Sequence, residues 1–150
     1  MASPSIRAAR LGLRISAFAS GLAATTAVIN LLKNGDHVVI GDDIYGGTYR
    51  LFEKVFKPWG LETDYADVNN LKAFNDAIRK NTRLIWIESP TNPLLKIVDI
   101  KGLAVIAHHK NIPLVVDNTF ASPYFQQPLK LGADIVVHST TKYISGHSDV

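Results

Sequence analysis

The chain predicts an α/β fold, a mostly parallel sheet with helices on both faces, on two observations. Short apolar runs alternate with longer stretches of helical periodicity from Ser20 onward. Several of those runs are apolar at consecutive positions, as parallel strands covered on both faces are. Right-handed crossovers then bring the polar residues that close each run to one edge of the sheet.

Residues 21–33 read as a helix with Ser20 as N-cap and Gly35 just past its end. His37–Gly41 reads as a buried strand. Tyr49–Trp59 is amphipathic, with Leu51, Phe52, Val55 and Phe56 inward and Pro58 at its end. A second strand spans 61–66, and a helix spans 69–80 with Leu71, Phe74 and Ile78 inward. Leu84–Ile87 is a third strand, closed by Ser-Pro-Thr-Asn-Pro. Asp99 caps a helix running to about Lys110, and strands at 114–117 and 135–138 follow.

Composition narrows the function. Hydrophobic residues make up 47% of the 150 residues and charged residues 19%, which suits a packed core and argues against disorder. No apolar stretch reaches the roughly 18 residues that span a bilayer. The absence of cysteine excludes disulfides and thiolate zinc sites, and fits a reducing compartment. The net charge of +3 resides in residues 1–35, which carry Arg7, Arg10, Arg14 and Lys33 and no acid. The remainder is near neutral and lacks the basic stripe of a nucleic-acid surface. The Arg- and Ser-bearing start resembles an organellar transit segment, but residues 1–15 are read as an unrelated leader or a truncated start.

Two run-ends carry chemistry. IPLVVD closes on Asp117, and DIVVH leads into Ser139, Thr140, Thr141 and Lys142. Neighbouring strands lie about 4.8 Å apart, so Asp117 and Lys142 can face one small molecule from two sides. An acid for a ring nitrogen, a Schiff-base amine and hydroxyls for a phosphate are what pyridoxal phosphate requires. Each residue also has a plainer reading. Asp117 can cap the next loop, Lys142 can be a surface lysine, and Ser139 and Thr141 can be ordinary loop polars. In favour of chemistry, Lys142 sits in a loop where its amine can be desolvated. Ser139 and Thr141 alternate, so their hydroxyls can turn to one side.

Other candidates are weaker singly. Gly21 and Leu22 open a helix whose free amides suit an anion. Tyr45, before Gly46-Gly47, can lay its ring on a ligand or sit half-buried in a turn. Asn92, between two prolines, is held rigidly at the same edge as Asp117, or makes an Asx turn. Asp42 and Asp43 lack the spacing of a metal site, and none is expected. His108 and His109 point apart on a helix and read as a solvated face; His138 and His147 receive no role.

Together, AFASGLAA, DDIYGGTY, WIESPTNPLLKIVDI and VVDNTFASPYFQQPLKLGADIVVHSTTKYISGHSDV resemble the Cys/Met-metabolism family of pyridoxal-phosphate enzymes over residues 17–150. The resemblance implies the aspartate-aminotransferase-like (type I) fold, with residues 16–150 as a partial large domain lacking its C-terminal domain. It implies pyridoxal 5'-phosphate as cofactor, borne by Lys142, with Asp117 at the ring nitrogen and Tyr45 and Thr119 on its two faces. Gly21, Leu22, Ser139 and Thr141 would hold the phosphate, and Asn92 the phenolic oxygen or substrate carboxylate. Lys142 would shuttle protons, assisted by Tyr45. The implied reaction is γ-elimination or γ-replacement on cystathionine or an O-acylhomoserine, as in cystathionine γ-lyase or γ-synthase. Methionine γ-lyase, O-acylhomoserine sulfhydrylase and cystathionine β-lyase are alternatives, as is a catalytically silent fragment. A cytoplasmic homo-oligomer, tetrameric in full-length relatives, acting on a small amino acid, is implied; no nucleic-acid or membrane partner is. The Tyr-x-Arg element and the carboxylate-gripping arginine of those relatives have no counterpart in these 150 residues.

Overall fold

The structure, a computed structural model, describes residues 14–147, so nearly all of the expected 1–15 leader lies outside the described residues. Five strands form one sheet in the order β2-β1-β3-β4-β5, and every neighbouring pair is parallel. They are β1 His37–Gly41, β2 Glu62–Ala66, β3 Thr82–Glu88, β4 Leu114–Asp117 and β5 Ile135–Val137. The chain steps outward from β1 to β2, then returns past β1 to β3. That reversal makes the β1/β3 boundary a switch point, beside which parallel sheets present their sites.

The helices are α1 Gly21–Ile29, α2 Gly46–Arg50, α3 Leu71–Ala77, α4 Ile100–His109 and α5 Ser122–Phe125. Side-chain caps start three of them. Ser20 Oγ accepts from the Ala23 amide at 3.1 Å, Asn70 Oδ1 from Ala73 at 3.3 Å and Asp99 Oδ1 from Gly102 at 2.9 Å. Each cap contributes about 1 kcal/mol.

Alternation along the strands divides the core between the two faces. Val39, Ile85, Ile87, Leu114 and Val116 pack with Phe74 of α3 and Leu103 of α4. Val38, Ile40, Leu84, Trp86 and Val115 pack on the other face with Ile29 of α1 and with Phe52. The Phe52 and Trp86 rings meet edge to face at 5.9 Å. Glu88 and Asp117 lie two positions beyond Trp86 and Val115, so the same alternation brings both out on the α1 face.

Four expectations are corrected. Tyr49–Trp59 is not one amphipathic α-helix: α2 passes into a π-helical turn at Leu51–Phe56. The wider turn keeps Phe52 and Phe56 buried but swings Val55 to solvent, 54% exposed. α1 ends at Ile29 rather than at residue 33, because Asn30 begins a turn that reaches Gly35 at φ 84°. α3 closes at Ala77, leaving Ile78 half-buried and extended. α5 and the 3-10 turn Pro128–Leu131 were not foreseen in the polar, proline-broken stretch that holds them.

Candidate cofactor site

Asp117 ends β4 only 9% exposed. Its Oδ1 accepts from both the Thr119 amide, at 3.0 Å, and the Thr119 hydroxyl, at 2.5 Å. The same hydroxyl oxygen accepts from the Ser139 amide at 2.9 Å, which ties the end of β4 to the end of β5. Ser139 Oγ and Thr141 Oγ1 lie 2.7 Å apart, so the two hydroxyls do turn to one side. Helix α1 completes this corner. A Cβ built on Gly21 would stand 2.9 Å from Ser139 Cβ, so the start of α1 approaches Ser139 as closely as only glycine allows. The first-turn amides of Gly21 and Leu22 are therefore delivered beside the Ser139–Thr141 pair.

The neighbouring strand ends add Tyr45 and Asn92. A Cβ on Gly47 would lie 2.3 Å from Tyr45 Cε1, so the ring folds over the bare glycine backbone. The Tyr45 amide donates to Glu88 Oε2 at 2.6 Å, and the Asn92 backbone nearby favours the charged form of the same carboxyl. Asp42 and Asp43 work as loop clamps. Asp43 Oδ2 accepts from the Thr91 hydroxyl and, at 3.1 Å, from the Leu94 amide. Asp42 Oδ2 pairs with Lys96 Nζ at 3.0 Å. No cluster that could hold a metal ion occurs among the described residues.

Lys142 differs from this framework. It lies in the turn after β5, its amide donating to Ser139 O at 3.3 Å and its carbonyl accepting from Gly146 at 2.8 Å. An edge-to-face contact at 5.8 Å between Tyr143 and Phe120 holds the turn beside the end of β4. The side chain is exposed, so the expected desolvation of the amine is not provided by the described residues. Sequence reasoning also missed Glu88. Like Asp117 it is an acid closing an apolar run, so the signal was present, yet its importance depends on the pairing of Glu88 with Asp117 across β3 and β4.

Electrostatics separate this edge from an ordinary sheet end. Burial, followed by the charge of Asp117, pushes the Glu88 carboxyl up to about 8 against the pull of the Tyr45 and Asn92 backbones, with Asp43 adding to the rise. Burial likewise raises Asp117, opposed by its two bonds from Thr119. Asp43, Glu88 and Asp117 take part in no ion pair among the described residues. Buried acids without a cation are costly and mark functional sites. A shallow depression lined by His108, Asn111, Ile112, Pro113 and Asp134 lies elsewhere, by the start of β4. Its His108–Asp134 pair, at 3.0 Å, is solvent-exposed and correspondingly weak.

The residues present fit pyridoxal phosphate on these observations. Asp117 is a buried acid without a cation, which a protonated pyridine nitrogen would supply. Gly21 clears room beside two converging hydroxyls, as a phosphate cradle needs.

Known proteins share the fold. It superposes on cystathionine gamma-lyase from Lactobacillus plantarum, solved with L-serine, with a TM-score of 0.87 and 49% identity, covering 89% of this chain and 35% of that one. In sequence it is 58% identical to a probable cystathionine gamma-synthase of Herpetosiphon aurantiacus, over 89% of this chain and 42% of the relative. It is also 58% identical to cystathionine gamma-lyase of Bacillus subtilis, over 89% of this chain and 35% of the relative. The chain thus spans well under half the length of these relatives. Residues 4–150 match the Cys/Met metabolism PLP-dependent enzyme family, and with identity at this level the chain belongs to that family.

Proposed function

We propose that this chain contributes the pyridoxal-phosphate site of an enzyme that eliminates or replaces the γ-substituent of a sulfur amino acid, of the cystathionine γ-lyase or γ-synthase type. The observation that carries the reading is the convergence of Asp117, Ser139, Thr141 and the start of α1 on one corner of the sheet. When bound, the cofactor supplies an electron sink for the substrate's α-carbon.

The chain's own residues have distinct tasks. Asp117, oriented by Thr119, holds a proton on the ring nitrogen. Ser139 and Thr141 donate to the phosphate together with the amides of Gly21 and Leu22, at the positive end of α1. Tyr45 and Thr119 flank the ring, and Asn92 contacts its phenolic oxygen or the substrate carboxylate. Lys142, whose side chain is exposed and forms no ion pair among the described residues, would bear the cofactor and carry protons between substrate carbons. Tyr45 assists that transfer. A homo-oligomeric, cytoplasmic setting goes with this reading, and no helix among the described residues is long and apolar enough to cross a membrane.

A second reading has its own support. The chain covers only about a third to two-fifths of its relatives, so the 150 residues by themselves would be poorly active or silent.

The decisive test is uptake of pyridoxal phosphate by the purified chain, followed by borohydride reduction and mass spectrometry of the peptides. Cofactor attached at Lys142, and lost in Lys142→Ala, is the expected result. A chain that stays colourless and unlabelled at millimolar cofactor contradicts it.

A further inference from the structure

We infer that Glu88 is a positioning residue of this site: buried beside Asp117, its carboxyl clamps the backbone of the Tyr45 loop against the ends of β3 and β4. The inference rests on the cofactor-site reading above and names a residue that reading does not use.

The geometry comes first. Glu88 is 4% exposed and stands in register with Asp117 on the adjacent parallel strand. Its carboxyl receives the amide of Tyr45, from the loop after β1, at 2.6 Å. That loop follows β1 and Glu88 ends β3, the two strands on either side of the switch point. One side chain therefore sets where the Tyr45 loop stands relative to the end of β4.

Two carboxyls this close do not ionise together readily. Glu88 faces the charges of Asp117 from β4 and Asp43 from the loop after β1, and its burial opposes ionisation further. Only the Tyr45 and Asn92 backbones favour the charged form. Asp117 has an O–H donor as well as an N–H, both from Thr119. A neutral Glu88 still accepts from the Tyr45 amide while adding no negative charge next to Asp117.

The test compares Glu88→Ala and Glu88→Gln in the full 150-residue chain, with pyridoxal phosphate as the probe. Hydrogen exchange at the Tyr45 amide is read without cofactor, and affinity is read from the cofactor's absorbance between pH 6 and 9. Glu88→Ala is expected to speed exchange at that amide and weaken affinity by about tenfold or more, the scale of a lost buried hydrogen bond. Glu88→Gln, a neutral isostere, is expected to restore both to within about threefold and to flatten any change in affinity near pH 8. Unchanged exchange in Glu88→Ala overturns the clamp, and a Gln variant as impaired as Ala overturns the neutral-acid assignment. Should the Ala variant not fold, the Gln variant decides alone: a protected Tyr45 amide with a flattened profile supports the inference, and loss of protection or a wild-type profile overturns it. If the parent chain takes up no cofactor, the proposed function fails, whereas the exchange measurement still decides the clamp.

Discussion

At the ends of the strands, Asp43, Glu88 and Asp117 are buried together and bonded only to amides and hydroxyls. Toward their starts, His37 is fully buried, with Nδ1 2.8 Å from Thr82 Oγ1. Its Nε2 lies 3.4 Å from Asp64 Oδ2, close enough for electrostatic contact but outside good hydrogen-bond geometry. Arg79 bridges Glu62 at 3.0 Å and Asp64 at 2.5 Å. At the first end, Lys96 pairs with Asp42 at 3.0 Å but Asp43, Glu88 and Asp117 form no ion pair among the described residues, whereas the second end pairs both signs. Buried acids left without an ion-pair partner are common at functional sites.

The largest effect expected from breaking this contrast is at Asp117. Asp117→Ala should weaken pyridoxal phosphate binding by roughly 100-fold, the scale of a lost charge-assisted bond. His37→Ala should leave that affinity within about twofold while lowering stability, since a cavity costs free energy wherever it opens. Absorbance titrations beside urea melts separate the two, and equal losses of cofactor affinity in both variants would erase the distinction.

The two edges should also answer pH with opposite signs. Glu88 is raised from 4.5 to about 8, so its contribution to stability is full below pH 4.5 and lost as pH rises through 8. Asp117, also raised, acts in the same direction. His37 is lowered from 6.5, chiefly by burial and then by Arg79, so its contribution is present above 6.5 and lost as pH falls below that value. Between pH 6.5 and 8 the carboxyls act alone, and cofactor-free protein should become more stable as pH falls, by about 1 kcal/mol per pH unit. Denaturant midpoints measured across this range should slope in wild type and slope less in Glu88→Gln. A slope unchanged by that substitution would place the responsible group elsewhere.

Arg79→Ala sharpens the contrast at the smallest scale. Its ion pairs are about half-exposed and should contribute roughly 0.2–1 kcal/mol. Removing the guanidinium also removes a charge that holds His37 down, so the acid-side loss should shrink. Melts at pH 5 and 7 read both effects, and an enlarged acid-side loss would reverse the sign assigned to Arg79.

Much of this was legible along the chain for local reasons. His37–Gly41 and Leu114–Asp117 are runs of consecutive apolar residues, and their strands match the expected bounds residue for residue. Ser20 and Asp99 were identified as caps because a cap bonds an amide three residues away. The Ser139–Thr141 convergence followed from alternation alone. Val55 was misread because a helical pattern does not reveal where a turn widens into π geometry. Glu88 escaped notice because its consequence lies in Asp117, 29 positions on, and in the Tyr45 amide it holds.

By itself the sequence determined the five strands, the starts of the capped helices, which residues close β4 and β5, and the resemblance to the family. These properties depend on side-chain period, capping and motif order, all written within a few residues. Only the tertiary structure decided that Glu88 and Asp117 share one face in register, that Thr119 links Asp117 to Ser139, and that Gly21 lies against Ser139. Those facts depend on strand order and on how chain segments far apart in sequence pack. The physical reason is that hydrogen bonds and buried charge act through space over a few ångströms, whatever the separation along the chain.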